Sequence, residues 1–402
     1  MDDRPSRRQV IAGGGVGIAA ALAGCISGLR EHAGDDGPED EGAEPSRDDG
    51  TEADETYTVS MEPMGEVEFS SVPETFVGRF GFVVDIAAAL DELDSLVAMY
   101  SNYSVFGHSH FYDELETVSI DPTEIEELHT DDWDIRLERL YELAPDFTAI
   151  DPNYLIHYTQ FDEDEVDQFI DRVGPFLHNE SQSKRADGWP TWPDGDYPYL
   201  TLAEFTRLYG ETFQKTARAE AILELNEGVR ETVTDRLPPE SERPTVAVGS
   251  LHDGTWHLDT FADAPENTYG ELHYRELGAR DAVAEHGSGR VQAEMELMLE
   301  IDPDVFVWRH GLFDPDGVAE TLEELEDDTL GSQLSCVDSG RFFVGGSPDQ
   351  GPIVNTFQTE MLAKQLYPDE FGEYPGLGEV PTDEQLFDRG RIDEIVRGER
   401  VE

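Results

Sequence analysis

Histidine residues are concentrated where strands of this sequence are predicted to end, which is where open parallel sheets carry their binding groups. Seven of the 11 histidines lie in or beside such segments. They are His108, His110, His157, His252, His257, His310 and, more loosely, His273. Imidazole is a common ligand of transition metals in proteins. The pattern therefore predicts a binding site or a metal site built from loops.

Arginine, tyrosine and tryptophan share these segments and favour a second chemistry. Guanidinium groups pair with carboxylates and aromatic rings cover flat surfaces, so such a set suits a carboxylate or catecholate chelate. The predicted ligand-binding residues are Arg79, Tyr103, His108, His110, Tyr154, Trp256, His257, Arg309 and His310. Direct metal ligation by His108, His110 and His310 is the alternative. It requires residues 108–110 to be extended, so that two rings share one face.

A metal-dependent hydrolase is a competing interpretation of the same histidines. His108 and His110 can be combined with His257, Asp259 or His310 in a metal-hydrolase site. The sequence contains no H-E-x-x-H pair, no G-K-[ST] phosphate loop and no G-x-S-x-G elbow. We therefore expect a protein that binds its ligand and is not an enzyme. A surface protein used for adhesion or structure is a third interpretation.

Two copies of one segment, 158 residues apart, predict the elements that position these loops. Residues 137–150 (LERLYELAPDFTAI) align without gaps on residues 295–308 (MELMLEIDPDVFVW), and two Glu, the Pro and the Asp are identical. In each copy an amphipathic helix ends before the proline, and a short apolar run follows that is typical of a buried strand. Two copies are too few for a solenoid, so the sequence predicts two similar α/β lobes.

A long apolar pattern lies between the two copies. Apolar residues recur every three or four positions from Leu202 to Leu237, and Pro238 and Pro239 follow. This spacing predicts one α-helix of roughly 35 residues, on the order of 50 Å long, which is enough to pass from one lobe to the other.

The net charge of the chain excludes one class of partner and indicates the salt concentration in which the protein works. The 402 residues include 27 Lys+Arg and 90 Asp+Glu, a formal net charge of −63. Nucleic acid is excluded as a partner, because binding to phosphates depends on lysine and arginine. Acidic residues occur throughout a chain with a normal aromatic content, which indicates adaptation to molar salt.

The first residues are typical of an export signal. Arg7 and Arg8 form a twin-arginine pattern, and a short apolar, glycine-rich run follows. Residues 22–25 (LAGC) are similar to a lipoprotein cleavage box, in which Cys25 would become the lipid-bearing first residue. The only other cysteine is Cys336, so no disulfide is expected after processing. Residues 26–56 are acidic and poor in apolar side chains, as expected of a flexible tether.

The order of these features resembles the iron-siderophore and cobalamin class of ABC-transporter substrate-binding proteins, in the form of a haloarchaeal lipoprotein. The resemblance covers residues 57–372 and depends on the signal, the two Glu…Pro-Asp units, the helix between them, the strand at 245–249 and the closing helix at 360–368. It implies an α/β fold with two Rossmann-like lobes joined by a long interlobe α-helix. The ligand would lie in the cleft between the lobes.

The resemblance also implies a ligand, a location and partners. An iron(III) chelate is the favoured ligand, cobalamin or a free metal ion is the alternative, and no resident cofactor is expected. The protein would be a monomer on the outer face of the cell membrane, anchored by lipid on Cys25, and would serve an ABC permease and its ATPase. Glu138 and Glu296 would each meet an arginine of the permease. Their alternative role is that of ordinary first-turn helix glutamates.

The predicted organisation has six parts. They are a twin-arginine lipoprotein signal (1–25), an acidic disordered tether (26–56), an N-terminal α/β lobe (57–199), a linking helix (200–238), a C-terminal α/β lobe (239–372) and a C-terminal extension (373–402). The aromatic and proline-rich segment 176–199 is predicted either to rim the cleft or to pack over the lobe seam. In the extension, residues 383–396 are predicted to form a closing helix.

Overall fold

In the computed structural model, residues 56–193 and 195–401 are described. Residues 1–55 lie outside the described part of the chain. They include Arg7, Arg8, Cys25 and all of the predicted tether except residue 56. No helix in the described ranges is long and apolar enough to cross a membrane.

The first lobe contains a parallel sheet and a separate hairpin. Its strands are β1 (Tyr57–Met61), β2 (Gly65–Phe69), β3 (Phe76–Gly78), β4 (Leu96–Met99) and β5 (Phe147–Ala149). Its helices are α1 (Gly81–Leu90), α2 (Tyr103–Tyr112), α3 (Leu137–Leu143), α4 (Pro152–Tyr158) and α5 (Glu163–Arg172). The sheet has the order β4-β3-β5 with all strands parallel, and β1 pairs with β2 antiparallel. The three parallel strands are short; β3 and β5 are wholly buried and β4 is buried over its second half, as expected of a sheet covered by helices.

The chain crosses to the second lobe through α6 (Leu202–Thr212) and α7 (Thr216–Thr234). The second lobe has the strands β6 (Thr245–His252), β7 (Thr255–Asp259), β8 (Arg280–Asp281), β9 (Arg290–Ala293), β10 (Val305–Trp308) and β11 (Phe342–Val344). Their order is β11-β10-β6-β7-β9, with β8 also paired to β6. The remaining helices, some of which alternate with these strands along the chain, are α8 (Leu272–Glu276), α9 (Met295–Ile301), α10 (Pro315–Asp327), α11 (Ser335–Asp338), α12 (Pro352–Leu366), α13 (Pro368–Phe371) and α14 (Arg389–Val396). The α/β prediction, with two lobes, is confirmed.

The predicted single linking helix is wrong, because α6 and α7 are separate helices. The break lies at residues 213–215, where Gln214 has a φ of 54° and the Lys215 N–H donates to the Gly210 carbonyl at 2.7 Å. The Nε of Arg207 on α6 lies 2.8 Å from Glu220 on α7, which shows that the two helices lie side by side. The apolar spacing continued across the break because Phe213 is itself buried in the first-lobe core.

The internal repeat has the same structure in both lobes. In the first lobe the Asp146 carboxylate accepts a hydrogen bond from the Thr75 N–H at 2.9 Å, directly before β3. In the second lobe the Asp304 carboxylate accepts one from the Thr245 N–H at 2.7 Å, at the start of β6. Each threonine hydroxyl in turn accepts from the N–H of its aspartate. The repeated Pro-Asp therefore fixes the start of each central strand against its neighbour.

Helix α12 is buried along its whole length and joins the lobes. The Asp85 carboxylate of α1 accepts hydrogen bonds from the Ile353 N–H at 2.9 Å and the Val354 N–H at 3.1 Å, in the first turn of α12. The Tyr112 hydroxyl on α2 donates to the same carboxylate at 2.7 Å. Asp85 therefore caps a helix that follows the last strand of the second lobe, although it belongs to the first.

The C-terminal helix α14 covers the same region from outside. Its Asp393 carboxylate accepts hydrogen bonds from the N–H groups of Glu116 and Thr117, just after α2, at 2.9 and 2.8 Å. Arg389 pairs with Glu114 of the first lobe at 3.2 Å and with Glu360 of α12. The extension thus links the first lobe to the central helix, and its predicted closing helix corresponds to α14.

Candidate functional site

A cavity of about 510 Å³ opens at the carboxyl ends of β6 and β10. Its polar and aromatic lining residues are Tyr103, Ser250, His252, Asp259, Arg290, Trp308, Arg309, His310, Phe313, Asp314 and Thr321. Tyr103 comes from the first lobe, and its ring lies 4.5 Å from the ring of Phe313 and 5.4 Å from that of His310. The cavity is therefore bounded by both lobes, at the edge of the sheet where α/β proteins bind ligands.

Two arginines of the cavity share one carboxylate. The Nε of Arg290 lies 2.9 Å from Asp259, and the Nε of Arg309 lies 3.1 Å from the same side chain. Arg290 reaches this point because β9 pairs antiparallel with β7, which places it opposite Asp259. Both pairs use Nε, and the terminal amino groups of the two guanidinium groups make no hydrogen bond within the described chain. They are hydrogen-bond donors of the kind that pair with carboxylates and other anions.

The acidic groups near these arginines are partly neutralised. Asp314 also lines the cavity, but its carboxylate caps α10 by accepting from the Gly317 N–H at 3.1 Å. Burial raises the pKa of Glu271, beside Arg309, to about 7, and the charge of Arg309 opposes this shift. Near neutral pH Glu271 is therefore only partly charged, so Arg309 is offset mainly by Asp259.

The three candidate metal ligands do not form a three-residue ligand set. His108 and His110 lie on the helix α2, so their side chains point to different sides, and the extended conformation required for a shared face is absent there. His310 lines the cavity with a φ of 59°, whereas His108 has no exposed surface. In the described ranges no three His, Cys, Asp or Glu side chains are placed to hold a metal ion.

His108 is a core residue, and its burial leads to a testable pH dependence. Neither ring nitrogen has a hydrogen-bond partner, and burial lowers the pKa of the ring from 6.5 to about 3. Between these values the unfolded chain binds a proton that the folded chain excludes, so His108 makes the folded state less stable as the pH falls. We expect His108→Phe to remove a loss of about 1.4 kcal/mol per pH unit over this range.

Urea unfolding of both proteins in molar KCl, from pH 7.5 to 4, measures this difference. His110→Phe, on another side of the same helix, is the matched control for effects on α2. Parallel stability curves for the parent protein and His108→Phe would contradict the assignment.

Neither of the two predicted binding residues on β7 lines the cavity. Trp256 is fully buried among core residues and packs against Phe306 at 5.0 Å, so its prediction as a ligand contact is wrong. Because side chains alternate along a strand, His257 points to the opposite face of β7, where its ring lies 5.9 Å from that of His252. Of these two histidines, His252 is the one that lines the cavity.

The predicted first-lobe residues Arg79 and Tyr154 lie together but not in the open cavity. Arg79 is 5% exposed and forms an ion pair with Glu180. Its guanidinium carbon lies 4.0 Å from the ring centre of Tyr154 and 4.2 Å from that of Phe80. Arg79 therefore makes cation–π contacts with both rings, and Tyr154 is half-buried.

A polar seam that was not predicted connects this cluster with the cavity. Burial raises the pKa of Asp349, while the charges of Arg79 and Arg309 oppose the shift. Asp349 accepts a hydrogen bond from Gln182, whose carbonyl accepts from the Gly270 N–H at 2.8 Å. Segment 176–199 thus packs over the lobe seam, as one of its two interpretations predicted. Sequence spacing carried no signal for this contact, because its partners are 167 residues apart.

The two glutamates of the repeat occupy equivalent positions. Glu138 lies in the first turn of α3 and Glu296 in the first turn of α9, and both side chains are exposed. Each helix ends at a residue in the left-handed conformation directly before the proline, Ala144 with φ 44° and Asp302 with φ 40°. Both carboxylates are free of intramolecular ion pairs in the described part of the chain. They are accessible to a partner.

Comparisons with known proteins identify the fold. No protein-family model and no curated sequence matches the chain. Among solved structures it is similar to CeuE of Helicobacter pylori with Ni(II) bound, at 13% identity and a TM-score of 0.56, covering 78% of this chain and 90% of that one. A periplasmic solute binding protein of Veillonella parvula is similar at 15% identity and a TM-score of 0.55, covering 80% of this chain and 89% of that one. The molybdate periplasmic binding protein MolA of Haemophilus influenzae is similar at 20% identity and a TM-score of 0.52, covering 76% of this chain and 90% of that one. At these low identities the structural similarity shows a shared fold of two α/β lobes.

Proposed function

We propose that this chain is the solute-binding component of an ABC importer, and that it binds an anionic iron(III) chelate in the cleft between its lobes. The chelate would be delivered to a membrane permease driven by its ATPase. The fold of the similar structures, whose names describe solute-binding proteins, supports the general role. Free metal ions are not proposed as the ligand, because His108, His110 and His310 do not form a ligand set.

The observation that carries the proposal is the pair of arginines at the cavity. Arg290 donates a hydrogen bond to Asp259 through Nε, Arg309 forms an ion pair with the same carboxylate, and the terminal amino groups of both arginines are left for a ligand. In a chain of net charge −63, two adjacent guanidinium groups at one cavity favour an anionic solute. At molar salt the Debye length is about 3 Å, so these contacts and not the net charge would determine affinity.

The location of the protein follows from its first residues. Arg7 and Arg8 would direct export by the twin-arginine route, and Cys25 would carry lipid that anchors the chain to the outer face of the cell membrane. The acidic residues along the chain suit an environment of molar salt. The protein would act there as a monomer that contacts the permease.

Replacing Arg309 with glutamine tests the proposed site. The parent protein should gain thermal stability on addition of ferric chelates, because a ligand that binds only the folded state raises the unfolding midpoint. Arg309→Gln should weaken the binding of ferric citrate by about 10- to 100-fold, since a hydrogen bond to a charged group contributes about 1.5 to 3 kcal/mol. Tryptophan fluorescence and the thermal midpoint in molar KCl measure both effects.

Arg207→Gln is the matched control, because Arg207 also pairs with a carboxylate but lies on α6 and outside the cavity lining. It should bind ferric citrate like the parent protein. No stabilisation by any ferric chelate, together with saturable binding of cobalamin, would replace the iron proposal. Stabilisation that is equal in the parent and Arg309→Gln would move the site away from this cavity.

A further inference from the structure

Trp133 is a large aromatic residue that the fold leaves on the surface of the first lobe. It is 52% exposed, and it lies four residues before the repeated helix α3. At the same distance before α9, in the second copy of the repeat, the chain has Val291, which is buried. The chain can therefore enter the repeated helix without exposing an aromatic ring, so the fold does not require the exposure of Trp133.

A tight turn fixes the backbone of Trp133. The Trp133 N–H donates to the Thr130 carbonyl at 2.9 Å, and the Thr130 N–H donates to the Asp134 carbonyl at 2.8 Å. Trp133 has a φ of 61°, which is unusual for a bulky residue, and the Tyr100 hydroxyl donates to its carbonyl. A backbone outlier that its surroundings hold in place points to a functional position.

One face of the Trp133 indole is supported and the other is free. His129 stacks on it with a centroid distance of 4.6 Å and an interplanar angle of 9°. The His129 ring nitrogens lie 2.8 Å from the Thr130 carbonyl and 3.3 Å from the Glu127 carboxylate, which fix this ring in turn. In the described ranges no other ring stacks face to face on the indole, and the indole N–H has no hydrogen-bond partner. The indole is a preorganised surface that loses little freedom when a partner covers it.

The charged groups around Trp133 favour a cationic partner. Asp131 and Asp132 are exposed, as is Glu138 in the first turn of α3. In the described part of the chain these three carboxylates form no ion pair or hydrogen bond. The nearby cation is Arg136, whose guanidinium donates to a backbone carbonyl at 3.3 Å. This surface is therefore negative overall, and a guanidinium group is attracted both to carboxylates and to the face of an indole.

Trp133 and Glu138 are close enough to contact one partner. His129 and Ile135 pair as an antiparallel bridge on either side of the turn, and α3 begins two residues later, at Leu137. Glu138 follows Trp133 by five positions, so their Cα atoms are at most about 18 Å apart. A typical protein interface covers about 800 Å² on each partner, which is a patch roughly 30 Å across.

We propose that Trp133 is an anchor of the contact with the permease, and that a cationic side chain of the permease lies on the free face of its indole, beside Glu138. This inference rests on the proposed function, which supplies the permease as the partner. Tryptophan is prominent among the few residues that carry most of the binding energy of an interface. The second lobe has its exposed glutamate, Glu296, but a buried valine in place of the ring, so the first lobe should make the stronger contact.

Separate measurements of uptake and of solute binding test this anchor. In cells that carry the full chain, Trp133→Ala should reduce the uptake of radioactive ferric citrate by roughly 30-fold, the effect of truncating an anchor residue. Trp133→Phe keeps an aromatic face and should restore part of the uptake, whereas Trp133→Leu keeps apolar area alone and should not. The affinity of each purified variant for ferric citrate, from thermal midpoints in molar KCl, should equal that of the parent protein.

Tyr158→Ala is the matched control, because Tyr158 is 53% exposed in the same lobe but lies at the end of α4. It should support normal uptake, and thermal midpoints without ligand show that each variant is folded. Normal uptake by Trp133→Ala would overturn the anchor and leave the proposed function intact. Loss of ferric citrate binding in folded Trp133→Ala would assign the ring to the solute, against this inference. Normal uptake by Trp133→Leu would contradict the cationic partner. If ferric citrate uptake does not depend on the parent chain, the proposed function fails as well.

Discussion

Asp85→Ala is expected to lower the free energy of unfolding by about 3 to 5 kcal/mol, because it leaves buried donors without an acceptor. Asp85 is fully buried and accepts hydrogen bonds from the Tyr112 hydroxyl and the first-turn N–H groups of Ile353 and Val354. Those two N–H groups begin α12, which is buried from end to end and has no other cap there. The variant therefore weakens the contact between the two lobes as well as one helix.

Urea unfolding in molar KCl measures this loss. Asp94→Ala, at an exposed carboxylate between α1 and β4, is the matched control and should change stability by less than about 0.5 kcal/mol. The pH at which this is measured matters, because burial raises the pKa of Asp85 to about 7 and its three hydrogen bonds oppose the shift. The folded state keeps this proton after the unfolded chain has released it near 3.8, so the stability contributed by Asp85 declines as the pH rises toward 7. Equal stability of Asp85→Ala and Asp94→Ala would show that α12 needs no cap from the first lobe.

The double variant Glu138→Gln with Glu296→Gln is expected to reduce uptake by about 100-fold while leaving ligand binding intact. Both carboxylates are exposed at equivalent first-turn positions of α3 and α9, one on each lobe. If each pairs with an arginine of the permease, each loss should reduce uptake by about tenfold, and the double loss by about 100-fold. Uptake of radioactive iron by cells that carry each variant in place of the parent chain measures this effect.

Glu300→Gln provides the control, because Glu300 is another exposed glutamate on α9 and lies one turn farther along. It should support normal uptake. Affinity for ferric citrate should be the same in all variants, since none of these glutamates lines the cavity. Normal uptake by the double variant would leave the two glutamates with a helix-dipole role alone.

The repeat was predictable because its signals are local. In residues 137–150 and 295–308 a proline ends each helix, and an apolar run forms a strand within a few positions. The role of the repeated aspartate was not predictable, because Asp146 bonds to Thr75 and Asp304 bonds to Thr245. Those partners are 71 and 59 residues away, so only the folded chain reveals them.

In residues 202–237 the spacing of apolar residues indicated which side chains are buried, but not whether the helix is continuous. Most of the apolar positions that it marked in α6 and α7 are buried or half-buried, but it could not show that Gln214 turns the chain between the two helices. At the site, position after a strand singled out Arg309 and His310, which line the cavity, and it failed for Trp256, whose side chain alternates into the core. Arg290 was missed because the pairing of an edge strand places it at the cavity.

The contacts of α14 have a consequence for the order in which the molecule is made. Asp393 bonds to residues 276 and 277 positions earlier, and Asp85 bonds to residues 268 and 269 positions later. While a ribosome is still producing the second lobe, apolar residues of α1 and α2 therefore lack the partners on α12 and α14 that cover them. The first lobe can begin to fold during synthesis, but closure of its exposed flank waits until residues 389–396 have been made and have left the ribosome.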